Sequence, residues 1–280
     1  MVEVIPLGKF DGVLLVTDYD DTLVDRAKQV PRRTRSALTR FTSQGGRFTI
    51  ASGRGLDAIR PCLTELPVNA PVILSNGTQI YDFASEQLLC ESRLPATARE
   101  DFSQVLQAFP SAAVEIFAQG QLYCVNPNIV TQEHLRITRQ TALERPMDAI
   151  PNGWIYAKFE EDTPCLLEIQ TFLRQRFPSR YEAIFSHPYL LEVADGSCGK
   201  GPGVLHLAEL LGIRPAHIYC AGDNENDLSM LEIAAVSFTP AGSTQAALHT
   251  ADVVVCDCNQ GALADVVEYL EARYGSRSPA

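Results

Sequence analysis

An α/β protein, with a doubly wound, mostly parallel core sheet and an inserted α+β domain, is the fold class this sequence predicts, and three observations predict it. Apolar runs without alternation break off abruptly into polar or acidic residues: VLLVT before Asp18, RFTIA before Ser52 and IYCA before Gly222. Such runs suit strands buried on both faces of a parallel sheet. A helical stretch separates successive runs, which is the rhythm of right-handed βαβ crossovers. From about Asp82 to Pro188 that rhythm gives way to paired strands between helices, the pattern of an α+β insertion.

The elements follow in order. After the acidic turn, Val30-Pro31 opens the helix RRTRSALTRFTSQGG, with Pro at its start and Gly45-Gly46 as its stop. Arg47 to Ala51 is the next strand, and because one helix separates it from the first, Asp18 and Ser52 should emerge on the same sheet edge. A helix over Leu56 to Leu66 leads to a short strand at Pro71 to Ser75, the turn Asn76-Gly77 and a strand at Gln79 to Phe83. The insertion reads as strands at Leu88–Leu94, Ala113–Ala118, Gln121–Val125, Trp154–Phe159 and Tyr181–Ser186, with helices at Thr97–Phe109, Ile129–Leu143 and Pro164–Phe177. Parallel rhythm resumes with Leu191–Asp195, the glycine-rich GSCGKGPG and a helix at Val204–Leu211 closed by Gly212. The strand Ile218–Ala221 then precedes a helix at Leu228–Ala235. Short strands at Val236–Thr239 and Val253–Cys256 flank a helix at Thr244–His249. The helix Ala262–Tyr274 ends the fold, and the tail SRSPA should be loose.

With 280 residues, 46% of them apolar, the chain can bury a large core plus a second domain. Its formal charge of −11 argues against nucleic-acid or anionic-membrane partners, which reward basic patches, and leaves small-molecule chemistry. No segment approaches the roughly 18 unbroken apolar residues of a membrane span. The amino-terminal MVEVIPLGKF lacks a basic region followed by an apolar run, so a soluble cytoplasmic protein is expected. The eight cysteines show no C-x-x-C and no zinc spacing, which fits reduced, mostly buried thiols, and the five histidines show no H-E-x-x-H.

Three carboxylates, Asp18, Asp20 and Asp21, arrive where the first strand runs out, and a second acidic turn, GDNEND, follows Ala221. Ligands of open α/β sheets bind outside the carboxyl ends of the strands. Taken alone, an acidic turn is as well read as a solvated loop. A calcium loop is excluded at both places, because its sixth position must be Gly and here is Leu23 or Leu228. A Walker A loop is excluded too, since Lys200 is followed by Gly201 and position 194 is Ala. Lys200 remains a lysine among glycines at a helix start, where it can reach an anion held by backbone N–H groups. Two carboxylate-bearing strand ends on one sheet edge suit a hard cation with few protein ligands, hence Mg²⁺ completed by water and phosphate oxygens. A phosphate about 4 Å from a carboxylate meets repulsion of about 4 kcal/mol per charge pair at an effective dielectric of 20. A divalent cation together with Lys200 makes such a pocket tolerable for phosphate.

The order D-x-D-x-T (Asp18, Asp20, Thr22), S-G-R (Ser52, Gly53, Arg54), a lone Lys200 and G-D-x-x-N-D (Gly222 to Asp227) resembles the haloacid dehalogenase-like (HAD) phosphohydrolases. The insertion between the serine and lysine motifs, and the SNGTQIYD segment at Ser75 to Asp82, look like their Cof-type branch, subclass IIB. The family most often has Gly between the two key aspartates and the threonine, where this chain has Asp21.

The resemblance implies a Rossmann-like catalytic core of residues 1–81 and 189–280 and an α+β cap of residues 82–188 that sets specificity. It implies Asp18 as nucleophile through an aspartyl-phosphate and Asp20 as general acid/base. Mg²⁺ would take the carboxylates of Asp18 and Asp223 and the backbone carbonyl of Asp20, with Asp227 orienting its waters. Ser52, Gly53, Lys200 and Asn226 would hold phosphate. The expected function is a Mg²⁺-dependent phosphatase of a small phosphorylated metabolite, a sugar phosphate first among them, in a monomer or weak homo-oligomer. A hexose-phosphate phosphomutase and a catalytically silent phosphosugar-binding regulator are the alternatives. Trp154, Tyr156, His187 and Tyr189 are the cap residues that could face substrate, against ordinary packing.

Overall fold

The computed structural model describes residues 8–275. The expectations for the first seven residues and for the tail SRSPA fall outside the described residues. The chain divides into two compact units, one comprising residues up to Cys90 and from Gly199 onward, the other Glu91–Cys198.

In the first unit the chain runs β1 (Leu14–Thr17), α1 (Arg32–Ser43), β2 (Arg47–Ile50), α2 (Leu56–Ile59), β3 (Val72–Leu74), β4 (Gln79–Asp82) and β5 (Gln87–Glu91). The expected helix over Leu56–Leu66 is a single α-turn that tightens into a 3₁₀ turn at Arg60–Leu63, because Pro61 has no N–H to continue the α ladder.

The second unit holds α3 (Ala98–Ala108), β6 (Ala113–Ala118), β7 (Gln121–Val125), α4 (Ile129–Thr138), β8 (Leu143–Glu144), β9 (Trp154–Glu160), α5 (Thr163–Arg176), β10 (Tyr181–His187) and β11 (Leu190–Asp195). Its six-stranded sheet has the order β10-β11-β9-β6-β7-β8, antiparallel except at the β7–β8 edge. Val114, Ile116, Ala157, Phe159, Leu191 and Val193 bury one face against α3 and α5. Two expectations are corrected. The helix expected to reach Leu143 ends at Arg139, which turns left-handed (φ 54°), and Leu143–Glu144 pairs with β7 instead. Leu191–Asp195 does not resume the parallel sheet, since it pairs antiparallel with β9 and β10 inside the inserted unit. Its burial alternates, Leu191 and Val193 inward and Glu192 half-exposed, as a strand with one covered face requires.

The chain then returns to the first unit as α6 (Lys200–Leu210), β12 (Ile218–Ala221), α7 (Leu228–Ile233), β13 (Val236–Pro240), α8 (Gln245–Thr250), β14 (Val253–Val255) and α9 (Ala262–Tyr274). The parallel sheet has the order β14-β13-β12-β1-β2, and a parallel bridge from Ala51 to Ile73 carries it on to the small β3-β4-β5 sheet. Alternate residues of β1 enter two separate cores. Leu15 packs with α1 and α9, while Leu14 and Val16 pack with α6, α7 and α8. Helices on both faces make the sheet doubly wound and explain why its strands read as unbroken apolar runs. No helix among the described residues is long and apolar enough to cross a membrane.

Candidate active site

β1 and β12 are neighbours in register, Thr17 opposite Ala221, so the two acidic turns leave the sheet side by side. The amide of Asp18 donates to the carbonyl of Ala221 at 2.8 Å and prolongs the pairing into the turn. Tyr19–Leu23 is irregular, with Asp20 extended and Asp21 left-handed (φ 58°, ψ 8°). That region is sterically free for glycine, and aspartate and asparagine are among the few other residues that visit it. Asp21 therefore occupies a conformation that glycine would adopt without strain. Thr22, immediately after it, donates its hydroxyl to Asp223 Oδ1 at 2.6 Å and fastens the first turn to the second.

The second turn is organised by Asp227, which is fully buried. Its Oδ2 accepts from the amides of Asp223 (2.9 Å) and Asn224 (3.0 Å), and its Oδ1 accepts from Lys200 Nζ at 2.6 Å. Gly222 is needed here for close approach: a Cβ on it would lie 2.4 Å from Asp227 Cβ. Lys200, at the start of α6 and with no exposed surface, bridges Asp227 and Asp18 Oδ1, the latter also at 2.6 Å. Burial favours the neutral amine, but the two carboxylates outweigh it and hold the ammonium above its ordinary range. Burial likewise pushes the Asp18 carboxyl up to about 8, opposed by Lys200 and reinforced by Asp227 and Asp223. Asp223 is pushed up to about 6, again first by burial, against its bond from Thr22.

Asp20 lies at the rim. Burial works to raise its pKa, yet Arg54 and Lys28 together hold the carboxyl below its usual value. Arg54 grips it with Nε on Oδ2 and Nη2 on Oδ1, both at 2.7 Å, and Lys28 sits 3.1 Å away. Ser52 is buried, with its Oγ accepting from the Arg54 amide at 3.1 Å. Asn76, left-handed at φ 52°, lies against Gly53 and accepts from Asn226 Nδ2 at 3.1 Å.

Asp18, Asp20, Ser52, Gly53, Lys200, Asp223, Asn226 and Asp227 thus all belong to the first unit and lie at strand ends, or in turns just beyond them, or at the start of α6. Sequence reasoning gave no role to Thr22, Lys28, Arg54 or Asn76. The S-G-R and SNG segments did contain two of them, without indicating what they touch.

The acidic cluster has a donor set that fits Mg²⁺. Oxygens of Asp18, Asp223 and Asp227 lie within 4.8 Å of one another. Asp227 is committed to two amides and Lys200, which suits it to orientation rather than direct ligation. Lys200 takes Asp18 Oδ1 and Thr22 takes Asp223 Oδ1, so each of these aspartates keeps a second oxygen outside those bonds. Those two carboxylate oxygens, completed by water, make the kind of all-oxygen set that Mg²⁺ prefers.

Among the four candidate substrate-facing aromatics, Trp154 is a core residue: it is buried, lies near Phe102, and its Nε1 donates to Pro151 O at 2.7 Å. Tyr156 stacks on Phe117, and the rings of His187 and Tyr189 lie 5.7 Å apart, with Tyr189 exposed.

Residues 15–267 match a family model described as haloacid dehalogenase-like hydrolase. The chain is 26% identical over 267 residues to the putative phosphatase YxeH of Bacillus subtilis (strain 168), covering 92% of this chain and 97% of that one. It is 28% identical over 223 residues to the HMP-PP phosphatase of Serratia proteamaculans (strain 568), covering 78% and 80%. Among solved structures, the HAD subclass IIB sugar phosphatase BT4131 superposes with a TM-score of 0.75 at 18% identity, over 92% of this chain and 98% of that one, a likeness of fold.

Proposed function

The chain belongs to the haloacid dehalogenase-like hydrolases as a phosphatase of their Cof-type branch, and from that premise we propose that it hydrolyses a small sugar phosphate in the cytoplasm, with Mg²⁺ and through a phosphoryl group carried on Asp18. The proposal rests on one convergence: a fully buried Lys200 held at 2.6 Å from both Asp18 and Asp227, with Asp223 fastened alongside by Thr22. A buried ammonium between carboxylates at the end of a parallel sheet is a costly arrangement for packing alone, because each ion must be taken out of water. It suits a site that receives phosphate.

In this assignment Lys200 restrains one oxygen of Asp18 and leaves the other to attack phosphorus in line with the departing alkoxide. Ser52, the Gly53 backbone, Lys200 and Asn226 hold the non-reacting phosphate oxygens. Asp18, Asp223 and the Asp20 carbonyl would bind Mg²⁺, which when present neutralises charge between the carboxylates and the phosphate. Asp20 gives a proton to the leaving oxygen and then takes one from the water that hydrolyses the aspartyl-phosphate. In the described conformation Arg54 and Lys28 keep Asp20 ionised, the form required in the second step, so proton donation in the first requires those contacts to loosen. We assign substrate selection to the second unit, as expected where specificity is grafted onto a catalytic scaffold.

Acid-quenching with a labelled substrate tests the roles. Asp18→Asn should form no covalent phosphoenzyme. Asp20→Asn should lose about 10² to 10⁴ in turnover, yet accumulate label slowly on Asp18 from a substrate with a good leaving group. Label on Asp20, or any label in Asp18→Asn, overturns the assignment. Release of inorganic phosphate from a panel of sugar phosphates tests the substrate class, and its return to sugar would mark a mutase instead.

A further inference from the structure

The second unit holds a cluster that the proposed phosphatase chemistry does not use. Glu115 on β6 and Glu160 at the end of β9 lie diagonally across neighbouring strands, where Glu115 faces Lys158 and Ala113 faces Glu160. Both carboxylates point away from the face that packs on α3 and α5, and neither residue has any exposed surface. His134 comes from α4 on this other face. Its Nδ1 lies 2.8 Å from Glu160 Oε1 and 3.3 Å from Glu115 Oε2. The start of α4 is anchored to the same strand, because Asn128 caps the helix and donates its Nδ2 to the Glu160 carbonyl at 2.8 Å.

Hydrogen bonding leaves this cluster incomplete. His134 Nδ1 lies within hydrogen-bond distance of Glu160 Oε1, and Glu115 Oε2, at 3.3 Å, meets the same nitrogen only as an ion pair. Both oxygens of Glu115 and the second oxygen of Glu160 are buried with no hydrogen-bond partner among the described residues. Buried carboxylates are ordinarily paired or bound to metal. The three donor atoms lie within 4.8 Å of one another. The two nitrogen–oxygen separations, 2.8 and 3.3 Å, are close to the roughly 3.0 to 3.4 Å between adjacent ligands about 2.1 Å from a metal.

We propose that Glu115, His134 and Glu160 form a binding site for a divalent first-row transition metal, zinc foremost, which ties α4 to the sheet of the second unit. One imidazole with two carboxylates suits zinc better than magnesium or calcium, which prefer oxygen alone. Two carboxylates and a neutral imidazole balance a divalent charge, and the metal supplies the partner those oxygens lack. The proposal stands apart from the phosphatase reading, since none of the three residues belongs to the first unit.

The full chain, stripped with chelator and returned to excess Mg²⁺, should be titrated calorimetrically with Zn²⁺. The unsubstituted protein should take up one equivalent of Zn²⁺ that Mg²⁺ does not displace, with a rise in thermal midpoint. His134→Asn, and Glu115→Gln combined with Glu160→Gln, should bind it at least about 100-fold more weakly, with turnover of an aryl phosphate retained as a check on folding. X-ray absorption at the zinc edge of the unsubstituted protein needs no variant, and it should show one imidazole with oxygen ligands. No such equivalent, sulfur ligands at the edge, or undiminished binding in both folded variants would overturn the proposal.

Discussion

Asp18 and Asp223 carry the pH dependence expected of the candidate site. Their carboxyls are pushed up to about 8 and about 6, in both cases first by burial. A carboxyl whose folded pKa is raised keeps its proton in the folded protein after the unfolded chain has released it. The cation-free protein therefore loses stability as pH climbs from the ordinary value of 3.8 toward about 8. Mg²⁺ needs the ionised forms, so its apparent affinity should rise across pH 6 to 8, and its stabilising effect on thermal unfolding should be larger at the upper end. Calorimetry in buffers of different ionisation enthalpy should register protons released on binding, and a flat affinity with no release would remove these carboxylates from the cation site. At this scale the sequence was legible where a residue sits at the end of a buried strand, as Asp18, Ser52 and Asp223 do. It was not legible where the partner is remote: Thr22 meets Asp223 across 201 residues, Asn226 meets Asn76 across 150, and Arg54 meets Asp20 across 34.

Secondary-structure elements were legible wherever burial imposed one period. The doubly covered strands read as continuous apolar runs, and α9 shows its apolar stripe between Ala262 and Tyr274. The failures came where a competing local signal was weak. Nothing in the run after Thr138 announces that Arg139 turns left-handed; at Leu56–Leu66, by contrast, the breaker is in plain view, since Pro61 lacks the N–H that a continued α-helix would need. In β11 the alternation Leu191, Glu192, Val193 was available and argued for a one-sided strand, but its place just before the glycine-rich segment suggested the parallel sheet. Asn128 offers the sharpest test at this scale. Its Oδ1 accepts from the amides of Val130 and Thr131, while its Nδ2 donates to the carbonyls of Ser111 and Glu160. Asn128→Ala removes the cap and both carbonyl partners, so it should cost about 1 to 2 kcal/mol or somewhat more. Denaturant unfolding should report that loss, with faster amide exchange concentrated in α4. An unchanged midpoint would mean that α4 is held by its packing alone.

At the scale of the whole molecule, the existence of an insertion was legible from the change of rhythm, because paired strands and βαβ crossovers produce different spacings of apolar runs. Its limits were less so: the compact inserted unit is Glu91–Cys198, so β5 stays with the first unit but for its last residue, Glu91, and the β10–β11 hairpin goes with the second. Each unit has its own apolar core, the first on both faces of its parallel sheet and the second between its sheet and α3 with α5. Every motif residue from Asp18 to Asp227 falls in the first unit, while the second contributes the antiparallel sheet and the Glu115, His134 and Glu160 cluster. If chemistry and selection are divided in the same way, the two should separate when the inserted unit is exchanged. Replacing residues 91–198 by the corresponding segment of YxeH should leave hydrolysis of a small aryl phosphate within about tenfold of the parent, a change of roughly 1.4 kcal/mol in barrier. The order of preference among phosphorylated metabolites should follow the donor. Separate cores make such a chimaera feasible, and circular dichroism with aryl phosphate turnover verifies that it has folded. A folded, active chimaera that kept the parent's order of preference would assign selection to the first unit, and the turns around Asp20 and Asn76 would then be the place to seek it.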